Sequence, residues 1–396
     1  MNKRILVVNK FYYRRGGDCI YSLNLERLLR DAGCEVVVFS MQFPENIASP
    51  FSRFFVSEVS FSGGIGSKLK AARRVMGCGD VKKAFSAILD EFKPEVVHLN
   101  NIHSYISPVV AEMAKARGCR VLWTLHDFKL LCPSYSCTRN SKPCQLCFDA
   151  KFNVVRHRCM KGSMAASVIA YIEALKWNRK RIEAATDTFI CPSAFMAQKM
   201  KAGGFNPEKL LSLSNFIDPD KFDSLSRSAI VPRKDYALYV GRLSSEKGVE
   251  TLMRAFAHSK INLKVAGGGP LDLDLRHKFS DFPNIEFLGM QNAAQVVALL
   301  AEARFSIMPS ECYENNPLSV IESLCAGTPV VGANIGGIPE LISPETGVTF
   351  ESGNDHALLE AVNVAWNRSW DYDAIKKQSL ARFAPKHYLD TLYSLF

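Results

Sequence analysis

The sequence predicts an α/β protein of two doubly wound domains facing across a cleft, and three observations lead there. Short apolar runs of strand length alternate with helical segments along most of the 396 residues, the pattern of parallel sheets covered by helices on both faces. A polar, proline-marked stretch, "FIDPDKFDSLSRSAIVPRKD" at 216–235, separates two sets of such runs and reads as an interdomain linker. The length suits two to three domains, and 47% hydrophobic content suffices for large cores. Domains are expected at 1–215 and 216–379.

The strand-like runs of the first half are "RILVVN", "CEVVVFS", "EVVHLN", "RVLWTLH", "TFICPS" and "LLSLSN". The loop of the first crossover carries Gly16 and Gly17 just before a helix, where backbone can approach a bound group closely. It is not a dinucleotide fingerprint. The glycine spacing is wrong, and "EVVVFSMQF" ends without an acid to hold a ribose. No phosphate-loop motif occurs either, which argues against an NTPase.

The second half contributes "YALYVG", "LKVAG", "IEFLG", "FSIMPS" and "PVVGAN". After "YALYVG", Gly241 turns the chain and Ser244 or Ser245 is placed to cap a helix running to about His258. Arg242 and Lys247 then sit where two cations and free N–H groups could clamp a diphosphate. "LKVAGGGP" adds a glycine loop, Gly267 to Gly269, at another strand end. In "MPSECYENNPLSVIESLCAGTPVV", 308–331, Asn316 is the expected N-cap, Pro317 suits the first helical turn, and Gly327 stops the helix. The unit is strand, loop, helix, strand, and such loops line the ligand crevice of open α/β sheets. Its two glutamates, Glu314 and Glu322, would repel phosphate. Sugar hydroxyls are their natural partners, since a carboxylate accepts two hydrogen bonds from a vicinal diol.

Charge is divided unevenly. Residues 1–200 hold 30 Lys+Arg against 16 Asp+Glu, and 201–396 hold 19 against 23. A basic first half suits an anionic membrane surface, a pyrophosphate-bearing acceptor or nucleic acid. No stretch is long and apolar enough to span a bilayer, and "MNKRILVVNKFYYRRGG" reads as a first strand rather than a signal peptide, so a cytoplasmic location is expected.

The segments "GRLSSEKGVETLMRAF", "VAGGGP", "NIEFLGM" and "PSECYENNPLSVIESLCAGTPVVGANIGGIPELI" together resemble the donor half of family-four retaining glycosyltransferases, GT-B enzymes that use nucleotide sugars. The first half agrees, with the Gly-Gly loop, "PEVVHLNNIH" and "LWTLHDFKLLCP" in order, and the last helix, 380–396, would return to the N-terminal domain. The resemblance implies that Glu322 holds the ribose hydroxyls and Glu314 those of the transferred sugar. Asn316 and Leu318 would offer backbone N–H groups to the phosphates, with Gly267 and Gly268 beside them. Arg242 and Lys247 would neutralise the departing diphosphate without a catalytic metal, and no Asp-x-Asp dyad is present to hold one. His126, with Asp127 beside it, would contact the donor sugar, and Gly16 and Gly17 would bring amides to the phosphate. Retention would follow from front-face attack without a protein nucleophile.

Five cysteines fall in 132–159, "CPSYSCTRNSKPCQLCFDAKFNVVRHRC". Cys144 and Cys147 form a chelating pair, and Cys132 with Cys159 could complete a structural zinc site, with Cys137 or His157 able to substitute. Free thiols or a disulfide are the alternatives. Two stretches mix apolar residues with cations as shallow membrane-binding segments do: 50–83, with Phe51, Phe54 and Phe55, and "SMAASVIAYIEALKWNRKR". Ordinary core packing is the commoner explanation for either stretch. The expected function is transfer of a hexose from a nucleotide sugar to a lipid-linked glycan acceptor, by an enzyme peripheral on the inner face of the plasma membrane, in surface polysaccharide or lipopolysaccharide synthesis. The competing readings are a nucleotide-sugar epimerase on the same fold and a zinc-stabilised nucleic-acid binder; nucleic acid is not the expected partner, because it leaves the glutamates and glycine loops without a role.

Overall fold

The computed structural model describes residues 3–60, 64–140 and 142–396. The chain divides into two compact units, one of Met1–Arg139, Cys144–Leu213 and Leu389–Phe396, the other of Asn140–Pro143 and Ser214–Tyr388. The last eight residues, the end of the helix Pro385–Tyr393 and its tail, therefore belong to the first unit. Arg120 Nε donates to the Leu395 carbonyl and Tyr393 OH bonds Cys34 there.

In the first unit six strands, β1 (Arg4–Val8), β2 (Glu35–Phe39), β3 (Val96–Leu99), β4 (Arg120–Thr124), β5 (Thr188–Cys191) and β6 (Leu210–Ser212), form one sheet in the order β2-β1-β3-β4-β5-β6. In the second, β7 (Lys234–Val240), β8 (Leu263–Ala266), β9 (Ile285–Gly289), β10 (Ala303–Met308), β11 (Val330–Ala333) and β12 (Gly347–Phe350) run β9-β8-β7-β10-β11-β12. Every pairing in both sheets is parallel. The central strands read as unbroken apolar runs, such as Ile5–Val8 and Val96–Leu99, because helices cover both faces. The strand order reverses between β1 and β3 and again between β7 and β10. Loops leaving those carboxyl ends diverge and open a crevice in each unit.

Three local expectations are corrected. The 216–235 stretch is not an unstructured linker, because Pro219–Arg227 is a helix whose N-cap Asp218 accepts from the Asp220 and Lys221 amides. An Asp-Pro start outweighs the weak apolar period there. Ser244 does not cap the helix after β7. That helix, Val249–Ala257, starts from Gly248 after a single 3₁₀ turn, while Ser244 Oγ donates to Glu246. Asn316 is not the N-cap either; Pro317 occupies that place, and Asn316 Oδ1 accepts from the Asn215 amide and Ser214 Oγ. β12, a four-residue strand, was not anticipated from its sequence.

Glycines let the loops of the second sheet touch. Gly248 has φ +67°, and a Cβ there would lie 1.9 Å from the Pro309 carbonyl oxygen. Gly267, at φ +142°, would place a Cβ 1.9 Å from the Gly241 carbonyl oxygen, so its glycine serves loop packing. Three histidines lie along the carboxyl edge of the first sheet. His98 in β3, His103 in the loop beyond it and His126 after β4 are all held neutral, burial pushing His98 down to about 3, His126 to about 4 and His103 well below its ordinary value.

Two outcomes follow. Gly248→Ala must strain the left-handed backbone and displace the Pro309 carbonyl, so it should lower stability by about 2 kcal/mol or more in urea unfolding; an unchanged midpoint would show that the contact is not needed. The unfolded chain protonates its histidines near pH 6.5 and the folded chain does not, so stability is complete above that pH and is lost as pH falls toward 4. The unfolding free energy from urea titrations should decline from pH 7 to 5 by up to about 4 kcal/mol per pH unit, three protons' worth. Asp127, raised by burial, opposes this by one proton at the acid end. A flat profile would mean the histidines protonate in the native state.

Candidate functional site

The reversal point of the second sheet gathers the loops after β7 and β10. Lys247 Nζ lies 2.5 Å from Glu314 Oε1, and Ser310 Oγ donates to the same oxygen at 2.8 Å. Burial opposes the Lys247 charge, but the attraction and hydrogen bond of Glu314 outweigh it and lift the ammonium above its ordinary value. Glu322, on the helix Leu318–Cys325, is matched in the same way by Lys221 Nζ at 2.5 Å. Each glutamate thus commits one oxygen to a lysine while half-buried. Lys247 was anticipated as a phosphate ligand; here it first serves Glu314.

Backbone holds Glu314 as well. Its carbonyl accepts from the Gly337 amide at 2.7 Å, and a Cβ on Gly336, φ +63°, would meet that carbonyl at 2.3 Å. Glu311, in the same loop, accepts from Thr251 Oγ1 at 2.6 Å. Arg242 is exposed at the mouth of the loop, its carbonyl anchored by Tyr239 OH at 2.9 Å. Asn316 is buried and structural, its carbonyl accepting from Asn215 Nδ2 at 3.0 Å. Leu318 opens the helix, where first-turn amides lack intrahelical partners. Gly268 has only the Met290 side chain near the position of a Cβ. Lys221, Gly336 and Gly337 escaped the sequence reading; the double glycine after "VVGANI" was the available signal.

The first unit carries His126, Asp127, Gly16 and Gly17 on its own reversal edge. His126 Nε2 is 3.0 Å from Asn100 Oδ1, whose amide nitrogen faces the Val8 carbonyl. Oδ1 only accepts, so Nε2 carries the hydrogen and Nδ1 is left as an acceptor. Tyr21 stands edge-on to the ring at 4.8 Å. Asp18 attracts His126 electrostatically and is itself held by Asn101 Nδ2 at 2.8 Å and Lys10 at 3.9 Å. Asp127 Oδ1 is tied to the Lys129 amide at 2.9 Å, a turn-forming role. A Cβ on Gly17 would meet nothing within 4 Å. The packing around it therefore does not require glycine there. Asn100, Asn101 and Asp18 were missed, although "HLNN" ends a strand where ligand loops begin.

Beside this edge lies a cavity of about 200 Å³ lined by His103, Lys129, Lys151, Glu173, Trp177 and Arg179. The cysteines gather next to it. Cys132 takes hydrogen bonds from the thiols of Cys137 and Cys147, which hold it below the usual thiol range, and Cys144 and Cys159 lie within electrostatic reach of the group. Cys137, expected only as a substitute for one of Cys132, Cys144, Cys147 and Cys159, is fully buried within the group. Among the described residues no three His, Cys, Asp or Glu side chains, His157 included, are arranged to hold a metal ion. In the 50–83 stretch, Phe55 is buried against Tyr12 and Phe51 packs edge-on to Phe92 at 5.8 Å, so these rings serve the core; residues 61–63 lie outside the described residues. No described helix is long and apolar enough to cross a membrane.

Comparison with known proteins accords with this arrangement. The model for Glycosyltransferase Family 4 matches residues 16–221, and that for Glycosyl transferases group 1 matches 220–382. Sulfoquinovosyl transferase SQD2 of Arabidopsis thaliana is 30% identical over 185 residues, 43% of this chain and 36% of its own. The chain thus spans about a third of the length of that relative. Among solved structures, the apo form of the lipopolysaccharide outer core galactosyltransferase WaaB has a TM-score of 0.64 at 17% identity, covering 99% of this chain and 98% of that one. HepE of Anabaena, in complex with UDP and glucose, has a TM-score of 0.66 at 16% identity, covering 99% of each. With one family model covering more than half of its residues and two reversing parallel sheets in its fold, the chain belongs to glycosyltransferase family 4 and has the GT-B fold.

Proposed function

We propose that the chain transfers a hexose from a nucleoside diphosphate sugar to a glycan acceptor, carried on a lipid and destined for surface polysaccharide, with retention at the anomeric carbon. The observation that carries this reading is the pair of lysine-matched glutamates at the reversal point of the second sheet. Two carboxylates, each with one oxygen engaged by a lysine, are suited to diols and unsuited to bare phosphate. Glu322 takes the ribose hydroxyls and Glu314 those of the sugar, while Arg242, Lys247 and the first-turn amide of Leu318 face the diphosphate. The bound UDP and glucose of HepE, and the galactosyl transfer to lipopolysaccharide in the name of WaaB, lend support to a nucleotide donor and a surface-glycan acceptor.

In the reaction the acceptor oxygen bonds to the anomeric carbon on the face from which the diphosphate departs. The carbon–oxygen bond to phosphate breaks, and the acceptor proton passes to the leaving phosphate oxygen. His126, neutral near pH 7, offers Nδ1 as an acceptor to a sugar hydroxyl without adding charge to the site. The Arg242 and Lys247 cations supply the stabilisation of the leaving group that a metal supplies elsewhere. The cysteine-rich insertion is structural in this reading: Cys132, Cys144, Cys147 and Cys159, with Cys137 or His157 as substitute, would hold a zinc ion that would cross-link its segments.

Thermal melts with UDP-, GDP- and ADP-sugars test the donor assignment. One nucleotide series should raise the melting temperature by several degrees at saturating ligand. Glu322→Ala should weaken that binding by about 10- to 100-fold, the value of a charge-assisted hydrogen bond pair. Gly17→Ala should melt like the wild type yet lose nucleotide-sugar affinity. No response to any nucleotide sugar, together with a response to DNA or RNA, would overturn the reading. Turnover of a nucleotide sugar without an acceptor would favour an epimerase. Elemental analysis of the purified chain should find about one zinc per molecule, and metal-free protein with five titratable thiols in the insertion would remove the zinc.

A further inference from the structure

The helix Met164–Lys176 is built inside out. Met164, Val168, Ile172 and Leu175 recur at the spacing of one helical face, and they are 45%, 37%, 44% and 51% exposed. The opposite face buries Ser167, Ala170 and Glu173. A surface helix of a globular protein ordinarily does the reverse. Glu173 shows why this one cannot. Its carboxylate takes a 2.8 Å ion pair from Lys129 and 3.0 Å hydrogen bonds from the Ser104 amide and hydroxyl. Those anchors set the rotation of the helix about its axis, and the four large apolar side chains are left facing outward. Phe152, also exposed, packs edge-on to Tyr171 at 5.6 Å and widens the patch.

The charge around the patch specifies its partner. Between Asp149 and Glu183 the sequence holds eight Lys and Arg and a single acid, Glu173, which is buried on Lys129. Arg156, Arg158 and Lys161 precede the helix and Arg179, Lys180 and Arg181 follow it, all exposed. An apolar stripe with cations at both ends matches a surface that is anionic outside and apolar beneath. A second copy of this chain would instead bring the same cations face to face. Thirteen residues make a helix of about 20 Å, which lies in a bilayer interface rather than across it.

We propose that the helix Met164–Lys176 docks the chain on an anionic phospholipid bilayer, lying in the headgroup plane with Met164, Val168, Ile172 and Leu175 inserted. The docking deepens the reading of a lipid-linked acceptor, on which it rests for its purpose; its chemistry is tested without any nucleotide sugar. In flotation with mixed phosphatidylglycerol–phosphatidylcholine vesicles the full chain should rise with the lipid, should stay behind with pure phosphatidylcholine, and should release as salt is raised. Ile172→Glu and Val168→Glu should each cut the floated fraction about tenfold. Both side chains are exposed, so melting temperature and the nucleotide-dependent stabilisation should stay at wild-type values; Leu175→Ser serves as a milder second variant, with a partial loss. The proposal fails if the wild type does not float with anionic vesicles, or if the variants float as it does. It fails equally if the wild type is a dimer that Ile172→Glu splits, which would assign the patch to a second copy. Flotation with no nucleotide response would overturn the transfer reaction and leave the docking standing.

Discussion

A lysine stands 2.5 Å from each of Glu314 and Glu322 in a half-buried crevice, and the architecture of the second unit keeps those lysines in reach. Lys247 comes from the loop after β7 and Glu314 from the loop after β10, so their contact requires two adjacent strand ends to hold their loops together. Gly248 permits this by letting the first loop rest on the Pro309 carbonyl, and Gly336 does the same from a third loop by resting on Glu314 itself. Lys221 arrives from a helix far away in sequence. Removing a lysine would leave a partly desolvated carboxylate unmatched, a larger penalty than the net worth of the pair. Each pair leaves the second carboxylate oxygen of its glutamate outside the contact with lysine, the feature on which the proposed donor site rests.

The first unit solves a related problem with neutral groups. His126 is hydrogen-bonded to Asn100 and edged by Tyr21, and burial keeps it uncharged although Asp18 attracts a proton toward it. Lys10 and Asn101 restrain Asp18, which limits that attraction. The same unit buries a second ion pair, Lys129 with Glu173, and the consequences reach the surface: satisfying Glu173 inward turns the apolar side of its helix outward. One buried charge thus sets both the lining of the cavity beside the His-Asp loop and the character of the exposed face.

Much of this was legible beforehand. Eleven apolar runs marked strands because each was short and most were β-branched and ended in a turn residue, and the glutamates, glycine loops and His126 drew attention because chemistry-bearing residues followed strand ends. What escaped had weaker local signals. Lys221 lay in a stretch whose polarity concealed a helix started by Asp218 and Pro219. Asn316 looked like a cap but was taken by Asn215 and Ser214, competition that no local pattern records. Cys137, weighed only as a substitute ligand because it has no chelating neighbour at short spacing, is buried by folding among the other thiols.

By itself the sequence determined the class of the fold, the alternation that produces two parallel sheets, and the strand-end positions of the ligand-facing residues, because hydrophobic period and turn chemistry act over a few residues at a time. Only the tertiary structure decided which lysine meets which glutamate, which nitrogen of His126 is free, and which side of the Met164–Lys176 helix meets solvent. Those are matters of long-range partnership, and a buried charge takes the partner that the fold brings to it, whatever stands beside it in the chain.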